Sequence, residues 1–381
     1  MNTSFEFRAG PRLVIGAGAV ERLGELAREL GATRALVTSD PGIVAAGHAA
    51  TGVAALEQAG ITTALFSGFG ENPATAEVEA GTAMARGFRP DLLVGLGGGS
   101  SMDLAKGINF LFSCGGRMQD YRGRGTAPRP LLPAIAVPTT AGTGSETQSF
   151  ALITDSATGM KMACGDPAAA FRVAILDVML TLTQPARVAA VTGIDAIAHA
   201  VESLVSTAAT PASRMLSREA WRLLAVNLPR VLADGADLAA RSAVQLGAAW
   251  AGLAIENSML GAAHALANPL TAAHGVVHGQ AVGLMLPHVV RLNGPACGAA
   301  YAALLADVGL AATETDAGPR LAGHLADLLA TAGLAGTLTS LGITAPDVAA
   351  LAAAAADQWT AGFNPRPVAA ADLASLYEAA R

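Results

Sequence analysis

The sequence predicts two domains of different class, an α/β domain with a parallel sheet over residues 1–185 and an all-helical domain over residues 186–381. In the first half, short apolar segments with strand character alternate with amphipathic segments with helix character, and this order is typical of parallel βαβ units. After Pro185 the apolar residues recur with helical spacing almost throughout. Because no Pro- or Ser-rich linker separates the halves, we interpret the boundary as a change of architecture.

Six strands and four helices are predicted in the first half. The predicted strands are residues 12–16, 34–40, 62–68, 91–100, the start of 133–146, and 173–177. The predicted helices between them are residues 19–31, 43–59, 75–87 and 101–113. Gly31 is suited to end the first helix, whereas Gly47 and Gly52 weaken the second. Ligands of parallel sheets bind outside the carboxyl ends of the strands, so polar turns at those ends are candidate binding sites.

The second half is predicted to be helical with short connections. The predicted helices include residues 188–206, 213–233, 238–267 and 278–292. An alanine-rich run at residues 347–359 also has helical character, and its small side chains permit close helix packing.

Composition limits the class of protein and of partner. Apolar residues make up 52% of the chain and charged residues 14%, so a large core can form. The net charge of −6 provides no basic surface for nucleic acid or anionic lipid. We expect no membrane-spanning segment, since Glu256 and Asn257 interrupt the richest apolar run, and no signal peptide. Three scattered cysteines suit a reducing compartment, so we expect a cytoplasmic protein.

Five of the seven histidines lie between residues 194 and 288. Asp195 and His199 are four apart in a helical segment, which puts both side chains on one helix face. His264 and His278 follow in segments that hold few other polar groups. Any one of these histidines could be a core residue that bonds to the backbone. As a set, three imidazoles and a carboxylate predict a site for a divalent transition metal ion, because buried polar side chains need partners.

A glycine-rich turn, GLGGGSS, joins a predicted strand to a predicted helix. Gly97 and Gly98 would let the backbone approach a pyrophosphate, whose charge the free amides at the helix start would bind. Ser100 occupies the position of the third glycine in G-x-G-x-x-G, so the dinucleotide fingerprint is incomplete, and a tight turn alone would explain the glycines.

Two further features favour a dinucleotide and a Rossmann-like domain. A second polar turn, residues 139–145, follows another predicted strand. Asp40 ends an earlier strand, where its carboxylate could accept hydrogen bonds from ribose hydroxyls and would repel a 2′-phosphate. We therefore expect NAD, with NADP disfavoured. On its own, Asp40 could equally be a turn residue before Pro41-Gly42.

The motifs GGGSSMDLAK, PTTAGTGSE, GIDAIAHAVES and HALANPLTAAHGVVHG together resemble the iron-containing (group III) alcohol dehydrogenase family in order and spacing. The resemblance implies the dehydroquinate synthase-like fold, with a dinucleotide-binding α/β domain followed by a helical domain. It also implies Fe²⁺, with Zn²⁺ as the alternative, held by Asp195, His199, His264 and His278. The implied cofactor-binding residues are Asp40, Asn72, Gly97, Gly98, Ser100, Asp103, Thr139, Thr140, Thr143 and Lys161. We also expect a homodimer.

The chain departs from the family pattern at residues relevant to proton transfer. Asn268 stands where many relatives have a second histidine near the nicotinamide, and its amide cannot titrate. His274 lies where relatives often have an aromatic residue, and Ser101 where many have proline. His274 and Asn268 are therefore the candidate catalytic positions. An imidazole can shuttle protons near neutral pH, so His274 is the candidate relay, unless it only packs in place of the aromatic ring.

The resemblance implies a metal-dependent dehydrogenase that transfers a hydride between a small alcohol, or its aldehyde or ketone, and NAD(H). One alternative is a lyase resembling dehydroquinate synthase, but the segments around the predicted ligands hold few Lys and Arg residues for an acidic substrate. Another is a metal-free reductase of the maleylacetate type, which Asp195 and His199 argue against. Alignment with relatives suggests an apolar substrate pocket, but Arg366 keeps a hydroxy acid possible. The predicted pocket residues are Phe150, Ile255, Trp359 and Thr360.

Overall fold

The structure is a computed structural model that describes residues 4–125 and 127–381. It divides into two compact units, an α/β unit of Ala9–Gln184 and a helical unit that combines residues 4–8 with Pro185–Arg381. From the sequence, residues 4–8 are predicted to belong to the α/β domain. They pack in the helical unit because the main chain of Arg8 exchanges two hydrogen bonds with the side chain of Asn257, at 2.7 and 3.0 Å.

The α/β unit contains nine strands and five α-helices among its described residues. The strands are β1 (Arg12–Ile15), β2 (Arg34–Thr38), β3 (Thr62–Phe66), β4 (Leu92–Gly97), β5 (Gly123–Arg124), β6 (Ala134–Pro138), β7 (Phe150–Thr154), β8 (Lys161–Gly165) and β9 (Val173–Leu176). The helices are α1 (Leu23–Glu29), α2 (Pro41–Ala45), α3 (His48–Gln58), α4 (Thr75–Phe88) and α5 (Gly99–Cys114).

Six of these strands form one parallel sheet in the order β1-β9-β6-β4-β2-β3. Successive residues of β4 point to opposite faces of the sheet. Leu93 packs in an apolar cluster with Met102 and Ile108 of α5, whereas Leu92 and Val94 belong to a second cluster with residues of α1 and α3. Helices therefore cover both faces, which explains why the strands are apolar on both sides. This arrangement confirms the predicted α/β class.

All six predicted strands are present in the parallel sheet, but two details differ from the prediction. The helix predicted over residues 43–59 is divided into α2 and α3, because Gly47 adopts a left-handed conformation with φ of +85°. A second sheet of β5, β8 and β7 was not predicted. Its strands have at most five residues and mix polar with apolar side chains, so they lack the continuous apolar signal of the main sheet.

The helical unit consists of eight α-helices among its described residues. They are α6 (Ala186–Val205), α7 (Pro211–Ala233), α8 (Leu238–Glu256), α9 (Ala262–His274), α10 (His278–Asp307), α11 (Ala317–Thr331), α12 (Val348–Ala356) and α13 (Ala370–Ala379). The all-helical class of this half is thereby confirmed.

The single helix predicted over residues 238–267 is wrong, because α8 ends at Glu256 and α9 begins at Ala262. At the break, the side chains of Asn257 and Ser258 donate to main-chain carbonyls one turn earlier, at 2.9 and 2.7 Å. Such side chains compete with the amides that would continue a helix. Helix α10, in contrast, continues to Asp307, well beyond the predicted end at residue 292.

Two helices, α6 and α8, are long and apolar enough to cross a membrane by length and composition alone, which the sequence analysis did not expect. The apolar windows of these helices are 83% and 67% buried in the structure. Burial of this extent is typical of core helices in a folded domain.

Helices α6 and α10 approach closely at Gly279. A Cβ atom on this residue would lie 2.1 Å from the carbonyl oxygen of Val191 and 3.3 Å from Cβ of Asp195. One turn later, a Cβ on Gly283 would lie 2.4 Å from a methyl group of Ile194. The missing side chains therefore let the first turn of α10 lie directly against α6.

Gly279→Ala should lower the stability of the metal-free protein, because the backbone carbonyl of Val191 cannot move aside as a flexible side chain would. Overpacking of this kind costs about 1–3 kcal/mol, which corresponds to a fall of roughly 2–10 °C in the thermal midpoint. Gly323→Ala in α11 is the matched control. Apart from its chain neighbours and the backbone of its own helix, no atom lies within 4 Å of the added Cβ, so the thermal midpoint of this variant should stay level or rise with helix propensity. Equal midpoints for the two variants in differential scanning calorimetry would contradict this packing argument.

Candidate metal centre and nucleotide turns

The four predicted metal ligands meet in the helical unit. Asp195 and His199 lie one turn apart on α6, His264 lies in the first turn of α9, and His278 is the first residue of α10. The Nε2 atoms of the three histidines lie 3.5, 3.4 and 3.8 Å, respectively, from one atom, Oδ1 of Asp195. Residues that are 83 positions apart in the sequence thus converge on one carboxylate oxygen.

The donor set fits a divalent cation. The side chains of Asp195 and His264 are only 9% and 4% exposed, whereas that of His278 is 28% exposed, so the site is open on the His278 side. Oδ1 of Asp195 and Nε2 of His264 are buried, and neither has a hydrogen-bond partner among the described residues. Leaving buried polar atoms without partners is costly. Two ligands of a tetrahedral ion at about 2.1 Å lie about 3.4 Å apart, which matches the distances from Oδ1 of Asp195 to Nε2 of His199 and of His264. The ligand atoms of these three residues all lie within 4.8 Å of one another, and His278 lies outside this group.

The electrostatics of the cluster favour positive charge. Burial would raise the pKa of Asp195, but the neighbouring imidazoles outweigh burial and hold its pKa well below the usual value. Burial would lower the pKa of His264, but the carboxylates of Asp195 and Glu202 raise it to about 9. In the metal-free protein a proton therefore binds readily here, and a bound cation would replace it.

Glu202 is a site residue that the sequence analysis did not identify. Its carboxylate is buried on α6, and Oε2 lies 2.5 Å from Nδ1 of His264. Its other oxygen accepts a hydrogen bond of 2.7 Å from the main-chain amide of Ala263. The available signal was its position three residues after His199, which puts both residues on one face of the helix.

In the α/β unit, eight of the ten predicted cofactor residues lie at or after the carboxyl ends of adjacent strands β2, β4 and β6. The other two are Asn72, which lies between β3 and α4, and Lys161, which begins β8. Gly97 ends β4 with φ of +147°, and a Cβ there would lie 2.3 Å from Oγ of Ser101 and 3.3 Å from Oδ2 of Asp40. The hydroxyls of Thr139 and Thr140, after β6, are buried without a hydrogen-bond partner among the described residues. The free hydroxyls and the narrow glycine turn fit a ligand with phosphate and hydroxyl groups.

Hydrogen bonds connect the other predicted cofactor residues. The main-chain amide of Asn72 donates to Oγ of Ser100 at 3.1 Å. Nζ of Lys161 donates to Oδ1 of the Asn72 side chain at 2.8 Å. Asn72 has a φ of +54°, an uncommon conformation for a residue other than glycine. Asp103 accepts a hydrogen bond of 2.7 Å from Ser145, whose amide donates to the Thr143 hydroxyl at 3.3 Å. Gly98 lies against Thr140, with a hypothetical Cβ 3.5 Å from its methyl group.

A buried lysine, also missed in the sequence, holds the second polar turn. Nζ of Lys106 donates to the carbonyl and hydroxyl of Ser145, at 2.7 and 2.9 Å, and to the carbonyl of Phe150 at 2.7 Å. Burial raises the pKa of Asp103, and the nearby Lys106 partly offsets that effect. The lysine thus connects α5 with the turn and with β7. As a lone lysine in the sequence it resembled a surface residue.

The predicted catalytic residues have different surroundings. His274 is exposed at the last residue of α9 and is not part of the cluster of buried donors. Asn268, half-buried on the same helix, donates a hydrogen bond of 2.9 Å to Oε1 of Gln358. This bond connects α9 to the segment that carries Trp359.

The predicted substrate-pocket residues belong to both units. Phe150 begins β7 in the α/β unit and is half-buried, and Ile255 is buried in α8. Trp359 is 47% exposed, whereas Thr360 is buried, and its hydroxyl has no hydrogen-bond partner among the described residues. Among these residues of the helical unit, only Trp359 exposes a large apolar side chain.

Comparison with known proteins matches both halves of the chain to one family. The family model described as iron-containing alcohol dehydrogenase matches residues 10–178. A second model, described as the C-terminal part of the Fe-containing alcohol dehydrogenase family, matches residues 189–381.

Individual relatives agree with the family models. The chain is 33% identical to the 1,3-propanediol dehydrogenase of Klebsiella pneumoniae over 96% of each sequence. It is 36% identical to the NAD-dependent methanol dehydrogenase of Bacillus methanolicus over 74% of each. A crystal structure of 1,3-propanediol oxidoreductase superposes with a TM-score of 0.96 and 32% identity, covering 99% of this chain and 100% of that one. As its motifs predict, the chain belongs to the iron-containing alcohol dehydrogenase family.

Proposed function

We propose that the protein is a metal-dependent alcohol dehydrogenase that transfers a hydride between NAD(H) and a small alcohol or its aldehyde or ketone. Family membership makes it an oxidoreductase that acts on CH–OH groups. The observation that supports the metal is the convergence of three imidazole nitrogens on Oδ1 of Asp195. This oxygen and Nε2 of His264 are buried and have no hydrogen-bond partner among the described residues. The relatives described above are dehydrogenases, and nothing in them supports the lyase or the metal-free reductase.

Asp195, His199, His264 and His278 would hold Fe²⁺ or, as the alternative, Zn²⁺. When bound, such an ion supplies Lewis acidity that favours the alkoxide form of an alcohol, while hydride acceptance is the chemistry of the nicotinamide. Asp195 fixes the site through its negative charge, and the neutral imidazoles leave part of the positive charge uncompensated. The partial exposure of His278 provides the side from which a substrate would approach.

Our proposal of NAD rather than NADP rests on Asp40 and on the methanol dehydrogenase relative, which is named as NAD-dependent. Asp40 lies beside the glycine turn, where Oδ2 is 3.4 Å from Oγ of Ser101. Its Oδ1 caps α2 by accepting hydrogen bonds from the amides of Gly42 and Ile43. This cap fixes the direction of the carboxylate, and its charge would oppose a 2′-phosphate.

We further propose a small uncharged substrate, a homodimer and a cytoplasmic location. The named relatives act on methanol and 1,3-propanediol, and the mostly apolar character of Ile255 and Trp359 suits such alcohols. All three cysteines are free in the structure, in agreement with a reducing compartment.

His264→Ala should remove most of the bound metal and most of the activity, because it deletes a donor atom from the centre of the cluster. His288→Ala is the control. His288 lies on α10 like His278 but ten residues further on, about 15 Å along the helix axis, so its metal content should match the wild type. Elemental analysis of both purified variants tests this, and unchanged metal in His264→Ala would exclude the assignment.

Asp40→Asn should narrow the preference for NAD(H) over NADP(H) about tenfold. The amide removes the repulsion of a 2′-phosphate, worth roughly 1.4 kcal/mol at a partly screened site, while asparagine still caps α2. Asp91→Asn, at the opposite end of β4, is the control and should leave the ratio unchanged. The test compares kcat/KM for both cofactors. A wild-type enzyme that preferred NADP(H) would refute the role of Asp40.

We propose His274 as the proton relay, since its exposed imidazole can exchange protons with water and Asn268 cannot titrate. His274→Phe should retain its metal content and its affinity for NADH. General acid–base assistance is typically worth ~10²–10⁴-fold, so kcat should fall by about two orders of magnitude or more, with a flattened pH profile. If the pH profile of kcat is the same in both enzymes, protons leave by another route.

A further inference from the structure

Glu202 is a buried carboxylate in an unusual setting. Its side chain is 5% exposed, and His264 is its ion-pair partner among the described residues. Oε2 lies 2.5 Å from Nδ1 of His264, and Oε1 accepts the Ala263 amide at 2.7 Å. Burying a carboxylate costs much free energy unless its oxygens are hydrogen-bonded. These two contacts therefore make the buried position of Glu202 possible.

We propose that Glu202 is a positioning residue, which holds His264 as the Nδ1–H tautomer with Nε2 directed at Asp195 as a metal ligand. This inference rests on the metal site proposed above. The carboxylate accepts the Nδ1 proton, which leaves the lone pair on Nε2 for a cation. With the imidazole ring turned over, Cδ2 would replace Nδ1 beside Glu202 and Cε1 would replace Nε2 beside Asp195, so both contacts would be lost.

The carboxylate is fixed from two helices. Glu202 lies three residues after His199 on α6, so this helix carries two predicted ligands and the group that orients a third. Ala263 lies in the first turn of α9, where the main-chain amides have no partner within the helix. The positive end of the helix dipole favours a carboxylate at this point. A change in the Glu202 rotamer would break both hydrogen bonds at once.

The chain leaves space for this arrangement. A Cβ on Gly261, the residue before α9, would lie 3.0 Å from Oε1 of Glu202 and 3.2 Å from Oδ1 of Asn364. Asn364 accepts a long hydrogen bond of 3.4 Å from the Ala262 amide, and its side chain exchanges two hydrogen bonds of 2.9 Å with that of Asn293. Two buried polar side chains thus fix the start of α9, and glycine makes their approach possible.

The experiment compares Glu202→Gln with the wild type and with Glu256→Gln. A glutamine at 202 can accept only one of the two donated protons, from His264 or from Ala263, so the imidazole loses its fixed orientation. Glu256 is a buried carboxylate on α8 in the same unit, 3.9 Å from the Arg8 guanidinium, and it receives the same substitution. The dissociation constant for Zn²⁺ is measured by competition between each metal-free protein and a chromophoric chelator.

Glu202→Gln should bind Zn²⁺ about 10–100-fold more weakly than the wild type, the usual effect of losing a group that orients a ligand. Glu256→Gln should stay within about twofold. A second measurement, on the zinc-loaded wild type, uses ¹⁵N chemical shifts of the imidazole and should find Nδ1 of His264 protonated and Nε2 bound to metal. Because it needs no variant, this measurement decides the question even if Glu202→Gln does not fold.

Each outcome separates the two proposals. A wild type that binds no Zn²⁺ or Fe²⁺ would overturn both the metal site and the role of Glu202. If a folded Glu202→Gln variant binds Zn²⁺ as tightly as the wild type, only the positioning role is overturned. Metal bound at Nδ1 of His264 in the wild type would have the same consequence.

Discussion

The arrangement of the metal centre depends on the contact between Oδ1 of Asp195 and three imidazole nitrogens, which joins α6 to α9 and α10. For this contact, α6, α9 and α10 must each place a histidine Nε2 atom 3.4–3.8 Å from Oδ1 of Asp195. Ordinary side chains on α10 would hold the helices too far apart, and Gly279 removes that obstacle. The convergence leaves Oδ1 of Asp195 and Nε2 of His264 buried without a hydrogen-bond partner among the described residues, which lowers the stability of the metal-free protein. A bound cation would offset this loss of stability, since a ligand that binds only the folded state stabilises that state.

The two units use the same physical device to hold their sites. In the helical unit, the Glu202 carboxylate bonds a ligand histidine and the main chain of α9. In the α/β unit, the Lys106 ammonium bonds the turn at Ser145 and the main chain of β7. In both, a buried charged group on one helix fixes a second segment through main-chain atoms. Such a charge is retained only where its hydrogen bonds are complete, so the position of the second segment is tightly defined.

The sequence predicted what local spacing encodes and missed what depends on distant contacts. The pair Asp195 and His199 follows from helical periodicity alone, and the glycine turn after β4 follows from a strand-to-helix transition. The approach of His264 and His278 to that pair depends on helix packing, which no local pattern contains. It was inferred from the need of polar side chains in apolar segments for partners, and the resemblance to a family implied the same four residues. The break between α8 and α9 was missed although Asn257 and Ser258, which bond to carbonyls one turn earlier, give a local signal for it. The further hydrogen bonds of Asn257 to Arg8, 249 residues away, could not be read from the sequence.

Single charged residues were the hardest to interpret. No neighbour in the sequence distinguishes Lys106 from a surface residue, and the signal for Glu202 is only its position three residues after His199. Both would be expected at the surface, because charged side chains are seldom fully buried. Their importance depends on burial and on two or three precise hydrogen bonds, and both are properties of the folded chain. Strands β7 and β8 are difficult for the same reason. Their short sequences mix polar with apolar residues, so they can be recognised as strands only from their pairing in the folded chain.

The negative charge of Glu202 would affect the metal affinity of the site and the Lewis acidity of the ion in opposite directions. The carboxylates of Asp195 and Glu202 together carry two negative charges, so a site that consists of both carboxylates, the imidazoles and a divalent cation has a formal charge of about zero. The Glu202 charge reaches the site through His264, where it makes the imidazole a stronger donor and so favours tight binding. The same charge reduces the positive potential available to a substrate oxygen, which weakens Lewis acidity. Placing this carboxylate behind an imidazole, rather than directly beside the ion, retains much of the gain in affinity while distance limits the loss of acidity.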